Sequence, residues 1–227
     1  MDYRHEIKFL VSDMDLEIIR YRLLPIMKQD IHQRGESYTI RSLYFDDLQN
    51  SCMKENEDGV DNRQKFRIRI YNGELSFIKL EKKIKYRGMT RKESTLISKS
   101  DALTYMDRSV KVFQKESARL EKELQTRIQT KGMHAASIVE YERTAFVEAR
   151  GNVRITFDRN ISGSTKVNDF FESRLMAIPL LPKGIQVLEV KYDELLPGYI
   201  YEVLNMGMLQ RSSFSKYCYS RAMEALN

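Results

Sequence analysis

The chain begins on an alternation. Arg4, Glu6 and Lys8 take every second position from Tyr3 to Val11, with His5, Ile7 and Phe9 between them. A period of two is the mark of a half-buried strand. Ser12 follows as a helix N-cap, and Leu16, Ile19, Leu23 and Leu24 recur at helical spacing until Pro25, where a helix breaks. Residues 38–45 (YTIRSLYF) predict a second strand, ended by Asp46 and Asp47, with a short irregular or helical piece up to Gly59. Two further alternating runs, 65–71 and 75–84, flank Asn72-Gly73-Glu74. Asn-Gly in that setting signals a tight hairpin. A strand at 91–97 extends the meander. Between residues 100 and 131 the period turns helical, with neither Pro nor Gly, which predicts helices over 101–108 and 110–130. Strands resume at 136–147, 152–159 and 185–193, and the tail carries helices over 197–208 and 214–225.

This order predicts an α+β fold in which an antiparallel eight-stranded closed β-barrel carries flanking helices. With no repeat and no Pro/Gly/Ser-rich linker, residues 1–227 read as one domain with a helical insertion at about 100–131, expected to support the barrel from outside, with a lid across one tunnel mouth as the alternative. A chain of 227 residues is long enough to bury a core unaided, and 13 Tyr and 10 Phe argue against disorder. No run of about 18 apolar residues is present, so no transmembrane helix is expected. The first residues lack the pattern of a secretory signal, and Cys52 and Cys218 are too few for a disulfide scaffold, so a cytoplasmic location is expected.

Charge changes the picture only through its placement. The 38 Lys and Arg against 32 Asp and Glu leave a modest net charge of +6. On the predicted strands, however, Arg67 and Arg69 share one face, as do Lys79, Glu81 and Lys83, and as do Glu189 and Lys191. Lys8, Arg143 and Arg154 fall on strands as well. Each strand by itself is compatible with a solvated face. Several of them in a closed sheet put the cations inside a lumen, where like charges repel unless a polyanion fills it. A phosphate chain suits such a lumen, because Arg offers a bidentate fork and Lys a point charge. The interspersed carboxylates suit Mg²⁺ or Mn²⁺, hard cations that prefer oxygen. Nucleic acid is not an expected partner, since the cations lie on single strand faces without an aromatic stacking platform and the basic helix at 110–130 reads as a solvated face. Asp158 and Arg159 read as a turn at a strand end, and His5, His32 and His134 lack metal-ligand spacing.

Eight stretches together carry a resemblance: YRHEIKF (3–9), SLYFD (42–46), KFRIRIY (65–71), LEKK (80–83), YERTAF (141–146), VRITFD (153–158), LEVK (188–191) and FSKY (214–217). In this order they resemble the VTC-type polyphosphate polymerase domain, a branch of the CYTH-like triphosphate tunnel metalloenzymes. The resemblance implies that Lys8, Arg67, Arg69, Lys83, Arg143, Arg154 and Lys216 bind and act on the substrate, with Lys79, Lys92 and Lys191 as further substrate-binding cations. It implies metal binding by Glu189, with Glu6 and Glu81 as further metal candidates. Arg4 replaces the first Glu of the CYTH-type ExExK motif, which weakens the expectation of a metal site built on that motif. The implied substrates are ATP, triphosphate and polyphosphate, with Mn²⁺ or Mg²⁺ as cofactor. The implied reaction is polyphosphate synthesis from ATP. A triphosphatase and a non-catalytic polyphosphate-binding module are the alternatives. Eukaryotic relatives embed this domain in larger membrane-associated proteins, so a membrane-associated partner is compatible with the resemblance.

Overall fold

A computed structural model describes residues 3–31, 33, 35–109, 118–205 and 207–222. The start of the predicted 110–130 helix, the end of the predicted 214–225 helix and His32 lie outside the described residues. In chain order the elements are β1 (His5–Ser12), α1 (Asp13–Leu23), β2 (Lys28–Gln29), β3 (Tyr38–Asp46), α2 (Ser51–Glu57), β4 (Arg63–Tyr71), β5 (Glu74–Tyr86), β6 (Met89–Ile97), α3 (Lys99–Met106) and α4 (Arg119–Lys131). They continue with β7 (His134–Glu148), β8 (Val153–Ser164), β9 (Ile178–Pro179), β10 (Ile185–Tyr192), α5 (Gly198–Val203) and α6 (Lys216–Ala222).

Local chemistry sets several of these boundaries. Ser12 and Asp15 form a reciprocal capping box that starts α1. Asn72 and Gly73 both take positive φ, 50° and 69°, and join β4 to β5 in the two-residue turn their sequence demands. Arg87 and Gly88, at 48° and 75°, do the same between β5 and β6.

Eight strands pair antiparallel in the order β1-β10-β8-β7-β3-β4-β5-β6, with β2 and β9 as two-residue additions on β7 and β8. The expected closed barrel is corrected: the sheet is curled but open. Its edge strands, β1 and β6, meet at a single bridge between Arg4 and Thr90. No ladder continues from there because the free edge of β1 is already engaged. Phe9 bridges Arg211, and the Ser212 N–H donates to the Lys8 carbonyl at 2.8 Å. The segment leading into α6 therefore takes the place of a closing strand pair.

The alternation read from the sequence sorts side chains between two sides of the sheet. Phe66, Ile68, Ile70, Ile78 and Leu80 pack with Ala102 and Tyr105 of α3 and with Leu120, Leu124 and Ile128 of α4. The described part of the insertion thus supports the outer face of β4 and β5. Phe9, Ile155, Phe157, Leu188 and Val190 pack with α1 and α5 through Leu16, Ile19, Leu23, Ile200 and Leu204. A third cluster lies inside the curl, where Tyr217 and Cys218 of α6 pack with Tyr44, Val139, Tyr141 and Val187. Gly163 makes room for α6, since a Cβ there would stand 2.9 Å from the Ser220 Cβ. The tail helix is consequently an internal plug. Burying apolar area on both sides of the sheet, at about 25 cal/mol per Å², holds the curl in shape.

Candidate functional site

The concave side encloses a cavity of about 1030 Å³. Among the described residues, its walls carry fifteen Lys and Arg against five Asp and Glu. That local excess of ten is larger than the net +6 of the whole chain, so the remaining residues are acidic on balance. Lys8, Arg67, Arg69, Lys79, Lys83, Lys92, Arg143, Arg154, Lys191 and Lys216 all reach the cavity, together with Glu6 and Glu189. They come from β1, β4, β5, β6, β7, β8, β10 and α6, and strand parity is what points them the same way.

Glu81 is placed differently. Its side chain points to the same side of β5 as Lys79 and Lys83 but is fully buried beneath the cations that cover it, where it receives Arg67 at 2.8 Å, Lys92 at 3.0 Å and Arg69 at 3.5 Å. Asp158 has the matching role on the opposite wall. It lies within β8 rather than in the turn expected from the sequence, accepts both Arg143 nitrogens at 2.6 and 2.7 Å, and takes Lys216 at 2.6 Å. Each anchor fixes two or more cations without entering the cavity, so their forks stay oriented while their charge is only partly cancelled. Arg154 pairs with Asp30, and its other nitrogen donates to the Tyr38 hydroxyl at 3.3 Å.

The proton affinities follow from this arrangement. Burial opposes ionisation of Glu81 and Glu189, yet neighbouring cations hold both carboxyls well below the usual range. Burial likewise works against Asp158, but Arg143 and Lys216 keep it at about 2. At Glu6, burial and Glu189 push upward while Lys83, Lys191 and Lys8 bring the carboxyl to about 2. Lys8 is raised despite burial, because Glu6 and Glu189 flank it. Lys83 responds the other way, since burial and the charges of Lys8 and Lys191 outweigh Glu6 and push it down to about 7. Tyr44 is lowered against its burial by Arg67, Arg69 and Lys216. The carboxylates therefore stay anionic, and the cationic field is strong enough to perturb even a phenol.

Among the described residues no cluster of three or more His, Cys, Asp or Glu side chains could hold a metal. Two carboxylates do converge. Lys191 Nζ lies 2.9 Å from Glu189 and 3.8 Å from Glu6, so the two acids on neighbouring strands already share one positive charge. A pair of carboxylates fits Mg²⁺ or Mn²⁺ where substrate phosphates and water complete the shell. Glu81, enclosed by three cations, is not among the residues lining the cavity.

Some cavity residues escaped the sequence reading. Lys65 lies two positions before Arg67 with the same parity, and its Nζ contacts Asn56 at 2.9 Å and the Tyr217 ring at 5.0 Å. Tyr141 stands two residues before Arg143 and lies beneath Lys216, 4.8 Å from its ring centre. Arg4 pairs with Asp193 at 2.8 Å. Parity alone would have found all three. Asp30, in the segment after β2, carries no such signal.

The structure is thus a curled antiparallel sheet with α1, α3, α4 and α5 on its convex side, α6 inside the curl and a cation-rich concave interior. A family model described as the VTC domain matches residues 3–225. The chain belongs to that family. No curated protein sequence matches it. Among solved structures, a proposed adenylate cyclase from Vibrio parahaemolyticus is similar at 12% identity and a TM-score of 0.52, with 96% of this chain and 97% of that one covered. That likeness is one of fold. The PH1819 protein of Pyrococcus horikoshii gives 14% identity and 0.49 over 99% and 100% of the two chains. The triphosphatase of the Mimivirus capping enzyme gives 11% and 0.46 over 92% and 89%. No helix among the described residues is long and apolar enough to cross a membrane.

Proposed function

We propose that the chain is a phosphoryl-transfer enzyme that lengthens inorganic polyphosphate from ATP and releases ADP. The observation that carries this reading is the convergence of ten expected cations from seven strands and one helix on a single cavity, in a chain of the VTC family. Arg67 and Arg69, held by Glu81, would grip the phosphates of the donor from one wall. Arg143 and Lys216, held by Asp158, would do so from the other. Each charge-assisted hydrogen bond contributes roughly 1.5–3 kcal/mol, and a rigid set of donors stabilises charge that spreads over equatorial oxygens during transfer. Lys8, Lys83 and Lys191 surround Glu6 and Glu189 and keep them anionic. Those two carboxylates would hold a divalent cation, which supplies further charge neutralisation at bridging phosphate oxygens.

The acceptor is a phosphate chain end, already an anionic oxygen. It attacks the γ-phosphorus as the bond to the β–γ bridging oxygen breaks, and ADP leaves with that oxygen. No general base is required for that acceptor, and the described lining of the cavity is dominated by Lys and Arg. The test is incubation of the purified protein with ATP and Mn²⁺. Acid-insoluble polyphosphate and ADP are expected, with loss of both products in Glu189→Ala. Orthophosphate alone would make the protein a triphosphatase, and tight polyphosphate binding without turnover would make it a binding module.

A further inference from the structure

One part of the cavity wall is aromatic rather than cationic. Tyr38, Tyr71 and Phe77, from the ends of β3, β4 and β5, line it in sequence across the sheet. Their ring centres stand 6.3 Å apart for Tyr38–Tyr71 and 6.2 Å for Tyr71–Phe77, tilted by 40° and 47°. These spacings are ordinary for interacting aromatic rings. The absence of a stacking platform expected from the sequence is thereby corrected: the rings come from three strand ends that only the folded sheet brings together. The shelf lies at the rim, beside the exposed residues 72–76 of the hairpin. Phe77 is 40% exposed, although its ring has no polar group to present to water or to an anion.

We propose that this shelf is a nucleobase-stacking subsite, so that the donor enters as a nucleoside triphosphate with its phosphates inward and its base at the rim. The inference rests on the reading of the cavity as a triphosphate site. The cations nearest the rings link the two parts. Lys79 Nζ lies 4.7 Å from the Phe77 ring centre and 5.9 Å from that of Tyr71, and the Arg69 guanidinium lies 6.0 Å from Tyr71. A phosphate group arriving at Lys79 draws the ammonium off the Phe77 face, since a charge-assisted contact is stronger than a cation–π contact at a half-exposed site. The ring face is then free for a base. An inorganic phosphate chain has no planar group to take that place, so the shelf discriminates a nucleotide from inorganic triphosphate.

The test measures binding of ATP and of inorganic tripolyphosphate by calorimetry, with the catalytic reaction suppressed by omitting divalent metal. Phe77→Ala and Phe77→Leu are both expected to weaken ATP by about tenfold, the order of one lost base-stacking contact, while tripolyphosphate changes by less than about twofold. Lys79→Met is expected to weaken both ligands. Equal loss of both ligands in the Phe77 variants, or no loss of ATP, overturns the subsite and leaves the cavity reading intact. Failure of wild-type protein to bind tripolyphosphate both without metal and with Mn²⁺ added overturns the cavity reading, and the subsite with it. Retained ATP affinity in Phe77→Leu alongside loss in Phe77→Ala would show that apolar bulk rather than an aromatic face is used, which also overturns stacking.

Discussion

Glu81→Gln isolates the cost of concentrating cations in this cavity. The substitution keeps the shape of the side chain and removes its charge. Glu81 is 0% exposed and receives two nitrogens of Arg67, at 2.8 Å each, with Lys92 at 3.0 Å and Arg69 at 3.5 Å. Breaking a buried pair by removing one partner costs about 3–5 kcal/mol. The lower end applies here, because the Lys92 side chain is 43% exposed and water reaches part of the unpaired charge. A loss of ~3 kcal/mol in a chain of this size lowers the melting temperature by about 6–12 °C. The same substitution makes the cavity more positive, so saturating tripolyphosphate should recover more of the loss in the variant than it adds to wild type. The sign with pH is also set. The Glu81 carboxyl is held below its ordinary value, so its contribution is present above the ordinary carboxylate range and disappears as pH falls through the depressed value. Thermal unfolding by circular dichroism, with and without tripolyphosphate, measures all of this. A fall of less than about 2 °C, or a gap that tripolyphosphate leaves unchanged, would refute the reasoning, because Glu81 would then not be what balances the three cations.

Asp158→Asn should act in the same way on the other wall. Wild-type stability attributable to Asp158, about 2 kcal/mol above pH 4, should drain away as pH falls towards about 2, and acid titration of the variant should show a flatter profile over that window. Gly163→Ala forces a Cβ to 2.9 Å from both Leu180 and Ser220, and overpacking of this kind costs about 1–3 kcal/mol. Because α6 carries Lys216, calorimetry should also find weaker tripolyphosphate binding in that variant. Ser12→Ala removes the cap of α1 at a cost of about 1 kcal/mol, lowering the melting temperature by a few degrees with tripolyphosphate affinity unchanged.

Legibility of this fold from sequence divides along physical lines. Strand periodicity survives in the chain wherever one side of the sheet is apolar, which is why Arg67, Arg69, Lys79 and Lys83 could be assigned to a common face before any fold was known. Asn72-Gly73 and Ser12 were readable because both are local, each needing only a few consecutive residues. Closure was not local. Whether β1 meets β6 depends on whether residues 211–212 occupy the β1 edge, a contact between segments some 200 positions apart. Asp158 misled for a related reason. Followed by Arg159 and Asn160 it reads as a turn, and only Arg143 and Lys216, brought in by other elements, make a buried carboxylate tolerable mid-strand. Two-residue strands such as β2 and β9 contain too few positions to show any period.

The balance of charges also explains why acids belong in a site built for anions. Fifteen cations facing a common space without compensation would repel one another and favour an opened sheet. Burying Glu81 and Asp158 beneath the cavity-lining cations lowers that repulsion in the empty protein, whereas Glu6 and Glu189, which line the cavity, compete directly with a phosphate ligand for Lys8, Lys83 and Lys191. These anchors hold the Arg67 and Arg143 guanidinium groups in place, and both side chains still line the cavity. The facing acids lose cations to an incoming phosphate chain and can recover balance only with another positive charge. Under the proposed function, the demand for a divalent cation therefore falls at Glu6 and Glu189, and it arises when the polyanion enters rather than before.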